Sequence, residues 1–523
     1  MNIIYRENDF KVGPLINDIM SYDINKYYNN LDSHGLEETF NYIMKYTKDL
    51  PDHILPEIIQ SKNIGELYEI GLAHVNKESK KELGKYYTPT DIAKLMSEYL
   101  VDLDGQNIAD VCCGTGNLTL SYLEQLGEDI AIGVIMKSHL YLYDLDSLAM
   151  KVACFLIGRR YGFDLVEKIH CIQGDFLDCS IQLPDNTKAI TNPPYFKIKD
   201  FKPNWLVTEN VRQSKELYSA FFEKIMNTAR SAVLITPYSF LGGSKFYPLR
   251  QEMNNYSGKV ITFDNVPGSI FNGRKHGIFN SNTSNSVRAS ITIIEENDGR
   301  GFQIGPMIRF KNTERHDLFK RNTMELLLCH RYQKVSKSNP IYAKVSNELE
   351  HLLHKWEDQS SETIGDIASD DETNFRLTIP TSGRYYISAA SHGLNRDGKY
   401  ELFLNNEKDY YMTYALFNSS FVYFFWRVYD GGITYTKTLI KNIPLLKDLN
   451  ITEYNELKKI CDEMMSKEKE YITYKKNSQK IQENLKFDTK YRKKLNKLFL
   501  KHLNLSGLQD ELEKVHNNSM NGD

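Results

Sequence analysis

The chain has 523 residues, 41% of them hydrophobic, which is enough for two or three domains with proper cores and excludes wholesale disorder. Its formal net charge of −3 gives no global attraction to nucleic acid, so any basic surface must be local. The seven cysteines include no CxxC pair and no Cys/His cluster, so no metal site is predicted and reduced thiols in a cytoplasm are expected.

No signal peptide is predicted, because Met1–Glu7 is charged too early. The most apolar run, Phe421 to Trp426, is far shorter than the roughly 18 residues a membrane span needs. Residues 1–75 read mostly as helix, since Leu36–Met44 and Ile64–Ile70 space apolar residues at three and four. A helical cap or a DNA-facing arm is expected there.

Gly84-Lys85-Tyr86-Tyr87-Thr88-Pro89 then leads into a helix at Thr90–Met96, with Thr88 or Thr90 as the capping candidate. This is a plain capped helix or a lip over a pocket. Asn107–Leu118 reads as a short strand, a glycine turn and the start of an amphipathic helix over Leu118–Leu126. Gly114 and Gly116 let the backbone approach a ligand, and the third glycine of a dinucleotide fingerprint is absent. A second strand, His139–Asp146, ends in carboxylates. Asp144 is placed to take a ribose diol, and Asp146 to cap a helix over Ser147–Phe155. A third strand, Ile169–Gln173, ends at Gly174-Asp175-Phe176-Leu177. There Asp175 can accept from an adenine amino group while Phe176 packs on that base.

The fourth strand runs through Ala189-Ile190 into Asn192-Pro193-Pro194-Tyr195-Phe196. Two prolines make this turn stiff, and a stiff turn at a strand's carboxyl end is where open α/β sheets place their chemistry. The Asn192 side-chain carbonyl and the Pro193 backbone carbonyl can grip the two hydrogens of one planar amino group, while Tyr195 offers a face for its ring. Methylating such a nitrogen needs this, because its lone pair is delocalised. Two acceptors that draw the N–H bonds toward tetrahedral geometry stabilise the transition state more than the ground state.

Strands tipped with acids or amides at regular intervals predict an α/β fold with a doubly wound, mostly parallel sheet. It continues at Ala232–Pro237 and Val260–Phe263, with a last pair around Val287–Ile294. In the loop Gly268–Gly273, Phe271 is either a core residue or a contact of the target base.

The ordered set Tyr-Tyr-Thr-Pro, Asp-Val-Cys-Cys-Gly-Thr-Gly-Asn, Tyr-Asp-Leu-Asp, Gly-Asp-Phe-Leu and Asn-Pro-Pro-Tyr resembles the adenine-N6 DNA methyltransferases, and with the Thr-Pro element first, their gamma class of Taq-type restriction-modification methylases. The match covers roughly residues 80–300 well and 330–515 loosely. The resemblance implies a Rossmann-like methyltransferase domain with S-adenosyl-L-methionine in a pocket formed by Tyr87, Thr88, Asp110, Cys112, Gly114, Gly116, Asn117, Asp144, Leu145, Asp175, Phe176 and Asn192. It implies a flipped adenine against Asn192, Pro193 and Tyr195. Cys112-Cys113 departs from the usual pattern and predicts thiol sensitivity.

In the C-terminal half, residues 308–337 carry eight Lys/Arg against three Asp/Glu, interleaved with Phe310, Phe319 and Tyr332. This is a phosphate-facing strip or a solvated linker face. Short strands are predicted at Thr378–Pro380, Arg384–Ser388 and Lys399–Phe403, and a buried helix at Ala415–Trp426. The succession Gly431–Lys437 and Ile440–Leu445 is similar to the end of target-recognition domains, with Lys437 and Lys441 as candidate phosphate contacts. From Tyr471 to Lys501 there are ten Lys/Arg and two Asp/Glu, a balance of +8, and Ile481, Leu485, Leu495 and Leu498 suggest helices with one buried face.

The expected organisation is a helical cap over 1–75, a catalytic domain over 76–300, an α+β recognition domain over 301–450 and a basic helical segment over 451–523. The expected activity is sequence-specific adenine-N6 methylation of double-stranded DNA in a cytoplasm, with a separate restriction endonuclease as a candidate partner. The rivals are N-methylation of a protein glutamine, which uses the same turn, and a specificity protein with a dead methylase half. An RNA substrate is a weaker alternative.

Overall fold

The computed structural model describes residues 88–271, 287–383, 386–432, 434–477, 480–517 and 519. The arm expected over residues 1–75 and the candidate Tyr87 lie outside them. The chain divides into two compact units. The first runs to Gln303 and adds 311–326 and 331–340; the second comprises 304–310, 327–330 and 341–523. The expected segments 301–450 and 451–523 thus fall largely in one unit.

One sheet, which lies in the first unit except for residues 304–308 of β8, has the order β3-β2-β1-β4-β5-β7-β6-β8-β9. Its strands are β1 (Asn107–Val111), β2 (Leu140–Asp144), β3 (His170–Gln173), β4 (Thr187–Thr191), β5 (Ser231–Pro237), β6 (Ser257–Phe263), β7 (Ala289–Glu296), β8 (Gly301–Ile308) and β9 (Tyr332–Gln333). β3, β2, β1, β4 and β5 are parallel, as crossover helices require. β7 is antiparallel to both β5 and β6, wedged between them. This is the α/β arrangement with a large, mostly parallel sheet that the sequence predicts. β4 is buried at every position, Lys188 included, whose Nζ donates to the carbonyls of Val101 and Leu103, both at 3.3 Å.

The helices that position the site are α1 (Thr90–Val101), α2 (Asn117–Leu126), α3 (Glu128–Met136), α4 (Ser147–Tyr161), α5 (Glu209–Ser214), α6 (Leu217–Thr228) and α7 (Tyr247–Met253). α1 buries Ile92, Leu95, Met96 and Tyr99, one stripe at helical spacing. Neither threonine caps it. Pro89 occupies the cap position without a side-chain bond, and the Asp91 Oδ1 takes the Ile92 N–H at 2.9 Å. Asp146 does cap α4, accepting from the backbone N–H of Leu148 and Ala149, both at 3.1 Å. The helix runs past Phe155 to Tyr161, with Ile157, Gly158 and Tyr161 also buried.

Part of the basic strip at 308–337 is spent inside the protein, while Lys320, Arg331, Lys334 and Lys337 are exposed. Arg315, in α8 (Arg315–Leu318), is buried and grips the Asp91 carboxylate with two bonds of 2.7 and 2.8 Å, and it also donates to the carbonyls of Ser269 and Ile270. Arg321, in α9 (Arg321–Leu327), pairs with Asp102. Arg309 is buried and donates to the Tyr423 hydroxyl. Phe310 and Phe319 are core residues. These side chains therefore do not form the phosphate-facing strip that the composition suggested.

The second unit has its own core. It gathers residues of α10 (Asn347–Gln359), β11 (Phe375–Pro380), β12 (Lys399–Leu404), α11 (Glu407–Asn418), α12 (Phe421–Tyr429), α13 (Lys437–Lys441), α14 (Ile451–Lys467), α15 (Thr489–His502) and α16 (Gln509–Lys514) into one hydrophobic cluster; β12 stands between β11 and β10 (Ala368–Ser369) in a three-stranded sheet. The stretch read as one helix over Ala415–Trp426 is broken. The buried Asn496 amide bonds the Ser420 N–H and hydroxyl, separating α11 from α12. The strand expected at Arg384–Ser388 is absent among its described residues, 386–388. Ile481 and Leu485 lie not on a helix but on a hairpin of β13 (Ile472–Asn477) and β14 (Lys480–Leu485); Leu485 is buried and Ile481 exposed. Leu495 and Leu498 do line the buried face of α15. No helix among the described residues is long and apolar enough to cross a membrane.

Candidate active site

The carboxyl ends of β1, β2, β3 and β4 surround a cavity of about 550 Å³. At β1 the chain turns sharply through Cys112 at φ 62°, Gly114 at 51° and Gly116 at 81°. Cys112 thus holds a left-handed conformation unusual for a side chain with a Cβ, of the kind found in over-determined functional loops. Gly116 is dictated twice: by its positive φ, and because a Cβ there would lie 2.8 Å from the Ala153 Cβ on α4. The loop is fixed from β2. The Asp144 Oδ2 accepts the Gly114 N–H at 2.7 Å and its Oδ1 accepts the Asp146 N–H at 2.9 Å.

Asp110 stands at the end of β1 with no exposed surface. Its Oδ2 accepts from the Thr119 N–H at 3.1 Å and hydroxyl at 2.6 Å, anchoring α2 to the strand, and its Oδ1 is buried without a hydrogen-bond partner. Burial, partly offset by the Thr119 bonds, pushes this carboxyl up to about 7. Asp110 does not line the cavity, whereas Thr88, Cys112, Gly114, Asn117, Asp144, Leu145, Asp175, Phe176 and Asn192 do. Gly116 shapes the loop from behind. The neighbouring Cys113 thiol is buried and pushed far above its usual value, so it is not a reactive thiolate.

At β3, Phe176 packs against Phe221 with ring centres 5.8 Å apart and edge-on to Tyr143 at 5.5 Å. Lys224 on α6 staples this loop by donating to the carbonyls of Phe176, Asp178 and Ile181 at 2.6 to 2.9 Å. Those bonds use all three of its N–H donors.

The proline turn follows β4. The Asn192 Nδ2 donates to the Thr88 Oγ1 at 2.9 Å, and its Oδ1 accepts from the Tyr195 hydroxyl at 2.7 Å. That hydroxyl also lies 2.8 Å from the Ile235 carbonyl of β5. The Thr88 carbonyl in turn accepts from the Asn117 Nδ2 at 2.6 Å. Thr88, two residues before α1, therefore ties Asn117, which directly follows the glycine loop, to the proline turn. Pro193 is buried and Pro194 lines the cavity. The half-buried Tyr195 ring has edge contacts with Tyr218 at 6.2 Å and with Phe271 at 6.0 Å; Phe271 is 3% exposed, a core residue behind Tyr195.

Sequence reasoning missed one wall of the cavity. Phe196, Ile198, Lys202 and Trp205 line it from the segment after the proline turn, together with Leu217 and Phe221 of α6. That segment has no periodicity; the only signal in it was the tryptophan. Lys437 and Lys441 belong to the second unit, on α13, and do not line the cavity. Lys437 is exposed and sits over the Tyr400 ring at 5.3 Å, and Lys441 is half-buried.

Residues 60–196 match the family model of N-6 DNA methylases, and residues 189–267 that of Eco57I restriction-modification methylases. Among curated proteins, the methylase subunit of the type I restriction enzyme MjaIX of Methanocaldococcus jannaschii is 34% identical over 135 residues, 25% of this chain and 22% of that protein. The chain's match thus spans about a fifth of that relative. Among solved structures, the type I restriction-modification methyltransferase subunit from Streptococcus thermophilus is 15% identical, with 50% of this chain and 57% of that one covered and a TM-score of 0.33. A nuclease-deletion mutant of the type ISP restriction-modification enzyme LlaGI, in complex with a DNA substrate mimic, is 12% identical, with 95% and 72% covered and a TM-score of 0.44. Over residues 60–267 the chain is thus similar to N-6 DNA methylases and to restriction-modification methylases.

Proposed function

We propose that this chain is a sequence-specific DNA adenine-N6 methyltransferase that draws its methyl group from S-adenosyl-L-methionine. The observation that carries this reading is the junction at Thr88, which joins the glycine loop beside the cavity to the Asn-Pro-Pro-Tyr turn at its rim. The cavity fits the donor. The Asp144 carboxylate lines it at the carboxyl end of β2, where a ribose diol would be taken, and holds the glycine loop in shape. Phe176 supplies an apolar face for the base, and Asp175 an acceptor for its amino group. The unpartnered Oδ1 of Asp110 adds a buried polar atom behind the loop.

When bound, S-adenosyl-L-methionine supplies an electrophilic methyl group on sulfur. Everything else falls to the chain's own residues. Adenine is rotated out of the duplex, at a cost of a few kcal/mol that stacking on Tyr195 offsets. Asn192 is the acceptor that grips the target amino group. Its orientation is set by Thr88, whose Oγ1 holds the amide nitrogen and so turns Oδ1 the other way. The Pro193 carbonyl is the second acceptor. Both favour the tetrahedral nitrogen that forms as the lone pair attacks and a proton leaves for solvent. No strong general base is required.

Long-read sequencing of DNA from a host expressing the chain tests the reading. Modified adenine in one recurring sequence context supports it. Unmodified DNA together with methylated glutamine in a peptide substrate overturns it in favour of amide methylation.

A further inference from the structure

We propose that Trp205 is a positioning residue for base recognition: its indole N–H fixes the Asp175 carboxylate so that one oxygen remains an acceptor for the exocyclic amino group of the cofactor's adenine. The inference rests on the reading that S-adenosyl-L-methionine occupies the cavity.

The donors on Asp175 are unevenly shared. Its Oδ2 receives two, the Trp205 Nε1 at 3.0 Å and the Lys202 Nζ at 2.6 Å. Its Oδ1 receives one, the Leu177 N–H at 3.1 Å. A carboxylate oxygen accepts about two hydrogen bonds, so Oδ2 is filled and Oδ1 has room for one more donor. Asp175, Lys202 and Trp205 all line the cavity.

The two donors on Oδ2 differ in kind. Lys202 is 57% exposed on a flexible stem, and an exposed pair of this sort holds a geometry weakly. Trp205 is half-buried, and its one donor points along a rigid ring. Its backbone is pinned as well. The Cys179 N–H donates to the Asn204 carbonyl at 2.9 Å, and the Asn204 amide donates to Asp178 at 3.1 Å. The far end of the segment is held by the Ile198 N–H on the Lys215 carbonyl at 2.8 Å and by the Leu217 N–H on the Phe196 carbonyl at 2.9 Å. The wall running from the proline turn to the base corner is thus anchored at both ends, with Trp205 where it meets Asp175. A corner that offers an acceptor with room for one more donor favours a purine bearing an amino group over one lacking it, because only the former adds the hydrogen bond.

Trp205 also carries its own reporter. Of the three tryptophans, Trp356 and Trp426 are fully buried in the core of the second unit, while Trp205 faces the cavity. The experiment uses the full chain and two ligands, S-adenosylhomocysteine and its purine analogue without the 6-amino group, with affinities from calorimetry and tryptophan emission recorded in parallel. In the wild type, S-adenosylhomocysteine should change the emission and bind about 10- to 100-fold more tightly than the analogue, the worth of one hydrogen bond to a charged group. In Trp205→Phe the emission change should vanish and the discrimination fall to about threefold, with the analogue bound nearly as before. That retained binding shows the variant is folded. Equal weakening of both ligands, or undiminished discrimination, overturns the inference while leaving the cofactor assignment standing. A wild-type chain that binds neither ligand overturns the cofactor assignment and this inference with it.

Discussion

Thr88 and Asn192, 104 residues apart in sequence, meet in a 2.9 Å hydrogen bond from the asparagine amide to the threonine hydroxyl. The bond decides which way the amide faces, and therefore whether its oxygen can serve as an acceptor for a target amino group. Thr88→Val keeps the shape and removes the hydroxyl. Its backbone carbonyl still accepts from Asn117, so the donor pocket keeps its lip. Methyl transfer should fall about 3- to 10-fold, the worth of one positioning hydrogen bond. S-adenosylhomocysteine affinity should stay within about twofold. Single-turnover kinetics beside calorimetry read both quantities.

Tyr195 does two jobs, and two variants separate them. Its hydroxyl, set between the Asn192 Oδ1 and the Ile235 carbonyl, stiffens the turn; its ring offers the stacking face. Tyr195→Phe should lower the rate only several-fold. Tyr195→Ala removes the face as well and should weaken apparent binding of duplex DNA about 10- to 100-fold, the worth of one base–aromatic stack. An unchanged rate of Tyr195→Ala on duplex DNA would count against the role.

Asp110 gives stability a pH dependence of defined sign. Below about pH 4 the carboxyl is protonated in both folded and unfolded chains. Between there and about pH 7 the unfolded chain releases its proton while the folded one keeps it, so folding is progressively disfavoured. Above that window the loss levels off at about 4 kcal/mol. Asp110→Asn keeps an acceptor for Thr119 and cannot titrate. Urea denaturation at pH 5 and pH 8 should show the wild type losing more stability than the variant over that interval. Parallel losses would refute the buried-carboxyl assignment.

Much of the first unit was legible because β1, β4 and β5 are almost wholly buried and each of the first four strands leads to a residue that reaches the cavity: Gly114 after β1, Asp144 at the end of β2, Asp175 after β3, Asn192 after β4. What escaped was set by contacts distant in sequence. Arg315 reads as a phosphate ligand until Asp91, 224 residues away, closes on it. Trp205 reads as a loop residue until Asp175 accepts its indole N–H. Ile481 and Leu485 are four apart and imitate a helix, and only the pairing of β13 with β14 puts them on one face of a hairpin. In Ala415–Trp426 only Asn418-Ser419-Ser420 hints at the break, and the amide that fixes it comes from the distant Asn496.

The most direct test of the account compares the wild type and Asn192→Ala for transfer of labelled methyl to duplex DNA, with N6-methyladenine identified by mass spectrometry and S-adenosylhomocysteine binding measured on the same samples. The account predicts N6-methyladenine from the wild type, a fall of at least about 100-fold in the variant, and ligand affinity within about threefold. Undiminished N6-methyladenine formation by Asn192→Ala would contradict it.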